Sequence, residues 1–172
     1  MTAQVTVRPL NPALWLGVPM LICLAASVLF ALPIRAWGLQ LPEPVFALVP
    51  AFAWAVTRPS FLPPFVLVLL GFFLDLLWGT PMGLWPLCLL AAYAPALFGR
   101  QVLSGQSYGV LWAWYAAACA LAFATGFVFI SLRAGVMPSL IGVGWQFLVS
   151  AALFPFAHYL IQRYEDAGAR YR

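Results

Sequence analysis

The stretch GFFLDLLWGTPMGLWP, residues 71–86, places one charged residue, Asp75, in a run of large apolar side chains. A carboxylate in such surroundings is unfavourable unless hydrogen-bond donors or a cation compensate it. Gly79-Thr80-Pro81-Met82-Gly83 interrupts the apolar run one turn later, and the first N–H groups of a helix lack intrahelical partners. We therefore predict that Asp75 accepts hydrogen bonds from Met82 and Gly83 and so joins the third and fourth helices. Alternative or additional partners of this carboxylate are Arg35 and Arg133.

The composition of the whole chain matches the apolar character of this stretch. The chain has 172 residues, of which 65% are hydrophobic and 7% are charged, and its mean hydropathy is +1.00. Soluble domains carry about 25% charged residues, so this chain cannot cover a water-facing surface with charge. We therefore predict an all-α integral membrane protein.

Apolar runs bounded by Pro, Gly or Arg predict a bundle of six transmembrane helices. Proline fits the first position of a helix, where its missing N–H has no intrahelical partner. The predicted starts of this kind are Asn11-Pro12, Pro63-Pro64, Thr80-Pro81 and Pro138, and Ser107 is a further candidate cap. The six helices are predicted at about 12–32, 44–57, 63–78, 81–98, 108–132 and 138–163, in a single domain of residues 1–172.

The second predicted helix is too short for an ordinary crossing and contains Pro50. Its residues, 44–57, cover about 21 Å at ~1.5 Å each, less than the ~30 Å hydrocarbon core. Its ends extend further, or its backbone is distorted at Pro50 and buried among neighbours. If this segment were re-entrant, the two termini would lie on opposite sides.

The arginines predict the orientation of the bundle. All eight basic residues are arginine, and they lie singly at the ends of apolar segments, which is typical of topology signals and not of nucleic-acid binding. Six crossings place both termini on the same side, and if that side is cytoplasmic, only Arg35 and Arg133 face out, which satisfies the positive-inside rule. The cytoplasmic arginines are then Arg8, Arg58, Arg100, Arg163, Arg170 and Arg172.

Tryptophans are expected in a belt at each membrane interface. Those near the inner ends are Trp15, Trp54, Trp112 and Trp114. Those near the outer ends are Trp37, Trp78, Trp85 and Trp145.

The chain has few residues suited to catalysis. Its acidic residues are Glu43, Asp75, Glu165 and Asp166, and only Asp75 lies within the predicted membrane region. Its one histidine, His158, is either a proton-relay group or a locally hydrogen-bonded side chain. No nucleotide-binding, hydrolase or metalloprotease motif is present, so we predict a protein that is not an enzyme and needs no cofactor or metal. The three cysteines, interpreted as small apolar helix residues, are Cys23, Cys88 and Cys119.

The fifth predicted helix is rich in small residues, which let membrane helices approach closely. This pattern serves either packing within the bundle or the docking of a partner's helix. The small residues are Ala113, Ala116, Ala117, Ala120, Ala122 and Gly126.

The run WAVTRPSFLPPFVLVLLGFFLDLLWGTPMGLWPL resembles the rod-shape-determining MreD family. The resemblance covers residues 45–100 and, more weakly, 139–163, where Trp145 and Phe154-Pro155 correspond to a Trp and a Tyr-Pro of the family. Met82 stands where leucine is commoner, and Phe154 stands in place of the tyrosine. The motif residues are Trp54, Arg58, Pro59, Gly71, Asp75, Leu76, Gly79, Thr80, Pro81, Met82 and Gly83.

This resemblance implies a non-enzymatic subunit of the bacterial cell-elongation machinery in the inner membrane. Such a subunit would be a scaffold that binds MreC. Through MreC it would associate with the actin-like MreB, the polymerase RodA and a penicillin-binding transpeptidase, and so support peptidoglycan synthesis and cell shape. The family's fold also resembles the six-helix substrate-binding subunits of energy-coupling-factor transporters.

The alternative function is therefore a membrane subunit that binds a small, vitamin-like substrate. It would need polar side chains lining an outer pocket, and the chain offers few. The candidates are Arg35, Gln40, Glu43, Asp75, Arg133 and Gln146. Recovery of a small ligand rather than a partner protein on purification would favour this alternative.

The arginine pattern gives a first testable prediction. Single cysteines at Thr2 and Arg172, in a background without the native cysteines, should react with a membrane-impermeant maleimide from the cytoplasmic side only. A cysteine at Arg35 is the control and should react from the opposite side. Reaction of the two termini from different sides would show that the second segment does not cross the membrane.

Overall fold

The computed structural model describes residues 13–31, 43–57, 60–103, 105–135 and 138–169, and all regular structure in these ranges is helical. The predicted all-α class is thus confirmed for this part of the chain. A π-helical turn, Ala13–Gly17, leads directly into the first α-helix. The α-helices are α1 (Val18–Ala31), α2 (Leu48–Thr57), α3 (Leu62–Trp78), α4 (Leu84–Leu103), α5 (Tyr108–Ala134), α6 (Leu140–Ala151) and α7 (Phe154–Ala169).

The fourth helix begins later and ends later than the sequence predicts. It runs from Leu84 to Leu103 instead of from 81 to 98. Gly83 has a φ of 94°, which a right-handed helix cannot include. The N–H of Gly83 donates to the side chain of Asp75, so the chain turns there before the helix starts.

The last predicted helix, 138–163, is two helices. α6 ends at Ala151 and α7 begins at Phe154, with a two-residue turn between them. Pro155 explains the break, because it has no N–H to donate to the carbonyl four residues earlier. α6 also starts after Ser139 rather than at Pro138, and the Ser139 hydroxyl accepts a hydrogen bond from the N–H of Gly142.

The other three predicted helix starts have different outcomes. Asn11-Pro12 lies outside the described residues. Proline does occupy the first turn of α3, after Phe61. Ser107 holds the N-cap position of α5, but its side chain makes no capping hydrogen bond.

α2 forms the centre of the bundle, packed against α4, α7 and α3. Every residue from Leu48 to Ala55 is buried. Trp54 is 0% exposed and its indole N–H donates to the carbonyl of Trp15 over 3.3 Å. Trp54, predicted for the inner aromatic belt, is therefore a core residue, and Trp15 and Trp85 are buried as well, at 7% and 8% exposed.

α3 has two different faces. The face toward the bundle is buried at helical spacing through Leu67, Leu70, Gly71, Leu74 and Asp75. The opposite face exposes a stripe of large apolar side chains. That stripe consists of Phe61, Phe65, Leu69, Phe72 and Leu76.

Three glycines lie where two helices approach each other closely. A Cβ added at Gly71 would lie 2.4 Å from the backbone nitrogen of Pro86 in α4. A Cβ at Gly99 would lie 3.0 Å from the ring of Trp114, and one at Gly126 would lie 3.1 Å from Cys88 Sγ. α4 therefore packs closely against α3 on one side and α5 on the other, at positions where one of the two helices has a glycine.

Three of the described helical stretches are long and apolar enough to cross a membrane. They are Leu84–Leu103, Tyr108–Arg133 and the combined α6–α7 stretch Leu140–Arg163. The outward faces of the bundle carry large apolar side chains such as Phe61, which is 91% exposed, and Ile141, which is 88% exposed. Soluble monomers rarely present apolar surface of this extent.

The contact at Gly71 gives the second prediction. Gly71→Ala should lower the free energy of unfolding by about 1–3 kcal/mol, because the new methyl group would overlap the Pro86 backbone and force α3 and α4 apart. Thermal unfolding in detergent measures the effect. Gly144→Ala is the matched control, since nothing lies within 4 Å of an added Cβ there. Equal stability of the two variants would contradict this account of the contact.

Candidate functional site

The end of α3 is shaped by Asp75 and Gly79. Gly79 ends the helix in the left-handed conformation, with a φ of 62°. The carbonyl of Asp75 accepts hydrogen bonds from the N–H of Gly79 and, over 3.0 Å, from the N–H of Thr80. These bonds complete the last turn of α3 and reverse the chain toward α4.

The side chain of Asp75 connects this turn to the start of α4. Oδ1 accepts from the Thr80 hydroxyl at 2.8 Å and from the N–H of Trp85 at 3.1 Å. Oδ2 accepts from the N–H of Gly83 at 2.7 Å. The residue is 1% exposed, so the protein itself solvates this carboxylate.

All of the N–H groups at the start of α4 have a partner. The N–H of Leu84 donates to the carbonyl of Pro81, and the N–H of Trp85 donates to Asp75. Pro86 has no N–H, and the N–H of Leu87 donates to the carbonyl of Gly83, which begins the regular helical pattern. A buried helix start is thus completed by one carboxylate from another helix.

The charge of Asp75 is stabilised by donors and by the start of α4. The carboxyl-terminal end of α3 carries partial negative charge and opposes the carboxylate, whereas the amino-terminal end of α4 carries partial positive charge and favours it. Three direct hydrogen bonds to an ionised acceptor, each worth roughly 1.5–3 kcal/mol, outweigh the effect of either helix end.

The predicted role of Asp75 as acceptor for the turn agrees with these contacts, with two corrections. The N–H of Gly83 donates to Asp75 as predicted, but the second backbone donor is Trp85 instead of Met82. Thr80 is not the N-cap residue of α4, because the helix starts four residues later, and its hydroxyl donates to Asp75 instead.

The arginine partners suggested for Asp75 have separate outcomes. Arg35 lies outside the described residues. Arg133 lies in the last turn of α5, is exposed, and is not among the described hydrogen-bond partners of Asp75.

The motif residues between Gly71 and Gly83 lie at this junction. Gly71 lies one turn before Asp75 and meets Pro86. Gly79 and Gly83 supply positive φ angles, and the carbonyl of Pro81 accepts from α4. Arg58 and Pro59 lie outside the described residues. The rings of Trp78 and Trp85 cover the junction in an edge-to-face pair, with centroids 4.8 Å apart.

The small residues of α5 divide between two faces. Ala113, Ala117 and Ala120 are exposed. Ala122 is 1% exposed, and Gly126 is buried against Cys88 of α4. A partner-docking role for Gly126 is therefore wrong, because α4 already occupies that position.

A second polar site lies where the chain leading into α2 meets α6, and it was not predicted from the sequence. Residues 43–45 have no regular structure, residues 46–47 form a turn, and helix starts only at Leu48 instead of the predicted 44. The Gln146 side chain donates to the carbonyl of Glu43 over 3.1 Å. The Ser150 hydroxyl accepts from the N–H of Val45 over 3.1 Å.

Other helices complete this second site. The Tyr115 hydroxyl, 0% exposed, donates to the carbonyl of Ser150 over 3.1 Å. The Cys23 thiol lies 3.5 Å from the carbonyl of Phe46. The signal for this site in the sequence is weak: Gln146 and Ser150 are polar and one turn apart in an apolar helix, and Pro155 interrupts that helix.

The remaining candidate residues are the three cysteines and His158. Cys23, Cys88 and Cys119 are buried and free, as interpreted from the sequence. His158 packs its ring against Tyr108 and Phe154, with centroids 4.9 and 5.9 Å away. Within the described ranges, no three His, Cys, Asp or Glu side chains cluster as metal ligands would.

Comparisons with protein-family models, with curated proteins and with solved structures find no match to this chain.

The junction at Asp75 gives the third prediction. Asp75→Asn should lower the free energy of unfolding by about 2–4 kcal/mol, because the carboxamide NH2 cannot accept and must face one of the donors that Asp75 now satisfies. Lower thermal stability in detergent and lower membrane levels are the expected readouts. Thr80→Val removes one donor only and should cost about 1 kcal/mol.

Thr125→Val is the control for the threonine change, since that hydroxyl donates only within its own helix, to the carbonyl of Leu121. Normal stability of Asp75→Asn together with loss of partner binding would instead make the carboxylate a contact residue.

Proposed function

We propose that this chain is a six-crossing protein of a bacterial inner membrane and acts as a non-enzymatic scaffold of the MreD type. Both termini lie in the cytoplasm in this proposal, and the Asp75 junction faces the outer side. The scaffold binds an MreC-like protein with a single membrane crossing and supports peptidoglycan synthesis during cell elongation. A RodA-like polymerase, a penicillin-binding transpeptidase and an MreB-like filament are the further partners.

One observation carries the proposal. Among the residues on which the resemblance to MreD rests, those from Gly71 to Gly83 include the ones that fasten α3 to α4, through the Asp75 hydrogen bonds and the close contact of Gly71 with Pro86. Such residues have a reason to be retained in a protein whose task is to hold a shape. A motif built for turnover would instead leave its carboxylate available to a substrate.

The surface of α5 supports a scaffold that binds through its helices. Ala113, Ala117 and Ala120 are spaced by four and three residues and share one exposed face. The exposed face of α3, by contrast, carries large apolar side chains. We propose the α5 alanine face, defined by these three residues, as the surface on which a partner's helix docks.

The transporter alternative has less support. Two of its candidate polar side chains, Asp75 and Gln146, already hydrogen-bond to groups within the protein. Gln40 and Arg35 lie outside the described residues. We therefore retain the scaffold as the proposed function.

The fourth prediction tests the α5 alanine face. The triple change Ala113→Leu, Ala117→Leu and Ala120→Leu should reduce co-purification of the MreC-like partner from native membranes at least tenfold, because the added side chains keep the partner's backbone at a distance. The thermal stability of the variant should stay near that of the unaltered protein, since these positions are exposed.

Ala25→Leu, at an exposed position of α1, is the matched control and should leave co-purification unchanged. Undiminished binding by the stable triple variant would place the partner on a loop or tail. Co-purification of a small molecule with no MreC-like protein would favour the transporter alternative.

A further inference from the structure

The helical part of the second segment cannot cross a membrane alone. α2 has 10 residues and covers about 15 Å, half of the ~30 Å hydrocarbon core. Residues 43–45, if extended, add about 10 Å, and the turn at 46–47 adds about 4 Å. The whole stretch of residues 43–57 then covers about 29 Å, which is enough for one crossing.

The hydrogen bonds to α6 agree with an extended course. Gln146 and Ser150 are four residues apart on α6, a rise of about 6 Å. Their partners, Glu43 and Val45, are two residues apart, and extended chain rises about 6.6 Å over that distance. The two elements therefore run side by side in matched register.

The same bonds place this non-helical chain deep in the bundle. Ser150 lies ten residues beyond Leu140, the first residue of α6, which is about 15 Å along the helix axis. Val45 is 0% exposed. At such buried positions among apolar residues, backbone groups outside a helix need partners from the protein.

We infer that Gln146 and Ser150 form a latch that holds residues 43–47 as the non-helical half of a complete membrane crossing. This inference rests on the six-crossing arrangement of the proposed function. The latch also sets the position of α2, the central helix, because the chain enters α2 directly from the latched residues. When the latch is removed, the carbonyl of Glu43 and the N–H of Val45 lose their partners, and residues 43–47 leave this position.

Hydrogen–deuterium exchange on the purified full-length chain in nanodiscs tests the latch. The double change Gln146→Met and Ser150→Ala removes both side-chain partners at nearly constant volume. Exchange in the peptide covering residues 43–57 should become at least about tenfold faster, while exchange in the central part of α5 stays unchanged. Unchanged protection of residues 43–57 would overturn the latch.

Gln162→Met with Ser107→Ala makes the same chemical changes at exposed residues and should leave exchange unaltered. If the double variant does not accumulate, the single change Gln146→Met carries the same test, with faster exchange expected and unchanged exchange contradicting the latch.

A cysteine at Ser60 tests the crossing separately. It should react only from the cytoplasmic side, and reaction from the outside would show a re-entrant segment. Neither readout involves the partner, so failure here is distinct from failure of the scaffold proposal.

Discussion

In this protein a buried carboxylate and a buried helix start satisfy each other's need for hydrogen bonds. Asp75 needs donors because it is 1% exposed, and the first N–H groups of α4 need acceptors because they lie beside apolar residues. The hydrogen bonds from Gly83 and Trp85 meet both needs at once. The rest of the α3–α4 packing depends on this junction. Gly71 can contact Pro86 closely only if the crossing angle of the two helices and their relative position along the helix axes are fixed.

The same constraint explains the irregular chain at the start of α2. In apolar surroundings, backbone that is not helical must find its hydrogen bonds among side chains and backbone of neighbouring helices. Here Gln146 and Ser150 provide them for Glu43 and Val45. The end of α6 is held in place as well, because the carbonyl of Ser150 there accepts a hydrogen bond from the Tyr115 hydroxyl of α5. The Asp75 junction and the chain leading into α2 are thus both completed by hydrogen bonds between different parts of the chain.

The sequence predicted the first of these places and missed the second for one physical reason. Asp75 and its backbone donors lie 8 and 10 residues apart, so the motif shows both the acceptor and the turn that supplies the donors. Ser150 and Val45 are 105 residues apart, and Gln146 and Glu43 are 103 apart. Hydrophobicity locates α2 and α6, but it carries no information on which faces meet or in which register.

The helix ends show the same difference between local and distant causes. The start of α3 followed from prolines in its own first turn. The start of α4 did not follow from Thr80-Pro81, because Asp75 on α3 takes the N–H of Gly83 and delays the helix. Likewise, the small residues of α5 could be recognised in the sequence, but only the packing of α4 shows that Gly126 faces inward while Ala117 faces outward.

Close helix contacts within the protein give a physical basis for binding at its surface. At Gly71, Gly99 and Gly126, α4 meets its neighbours where a side chain is missing. Association of helices in lipid depends on such close packing, because lipid chains are as apolar as the side chains they cover. The α5 alanine face is on the helix whose other side is held by two of these contacts, so it is a fixed surface. In the proposed scaffold, a partner's helix docking there would meet a helix already ordered by α4, so little free energy would be lost to ordering α5.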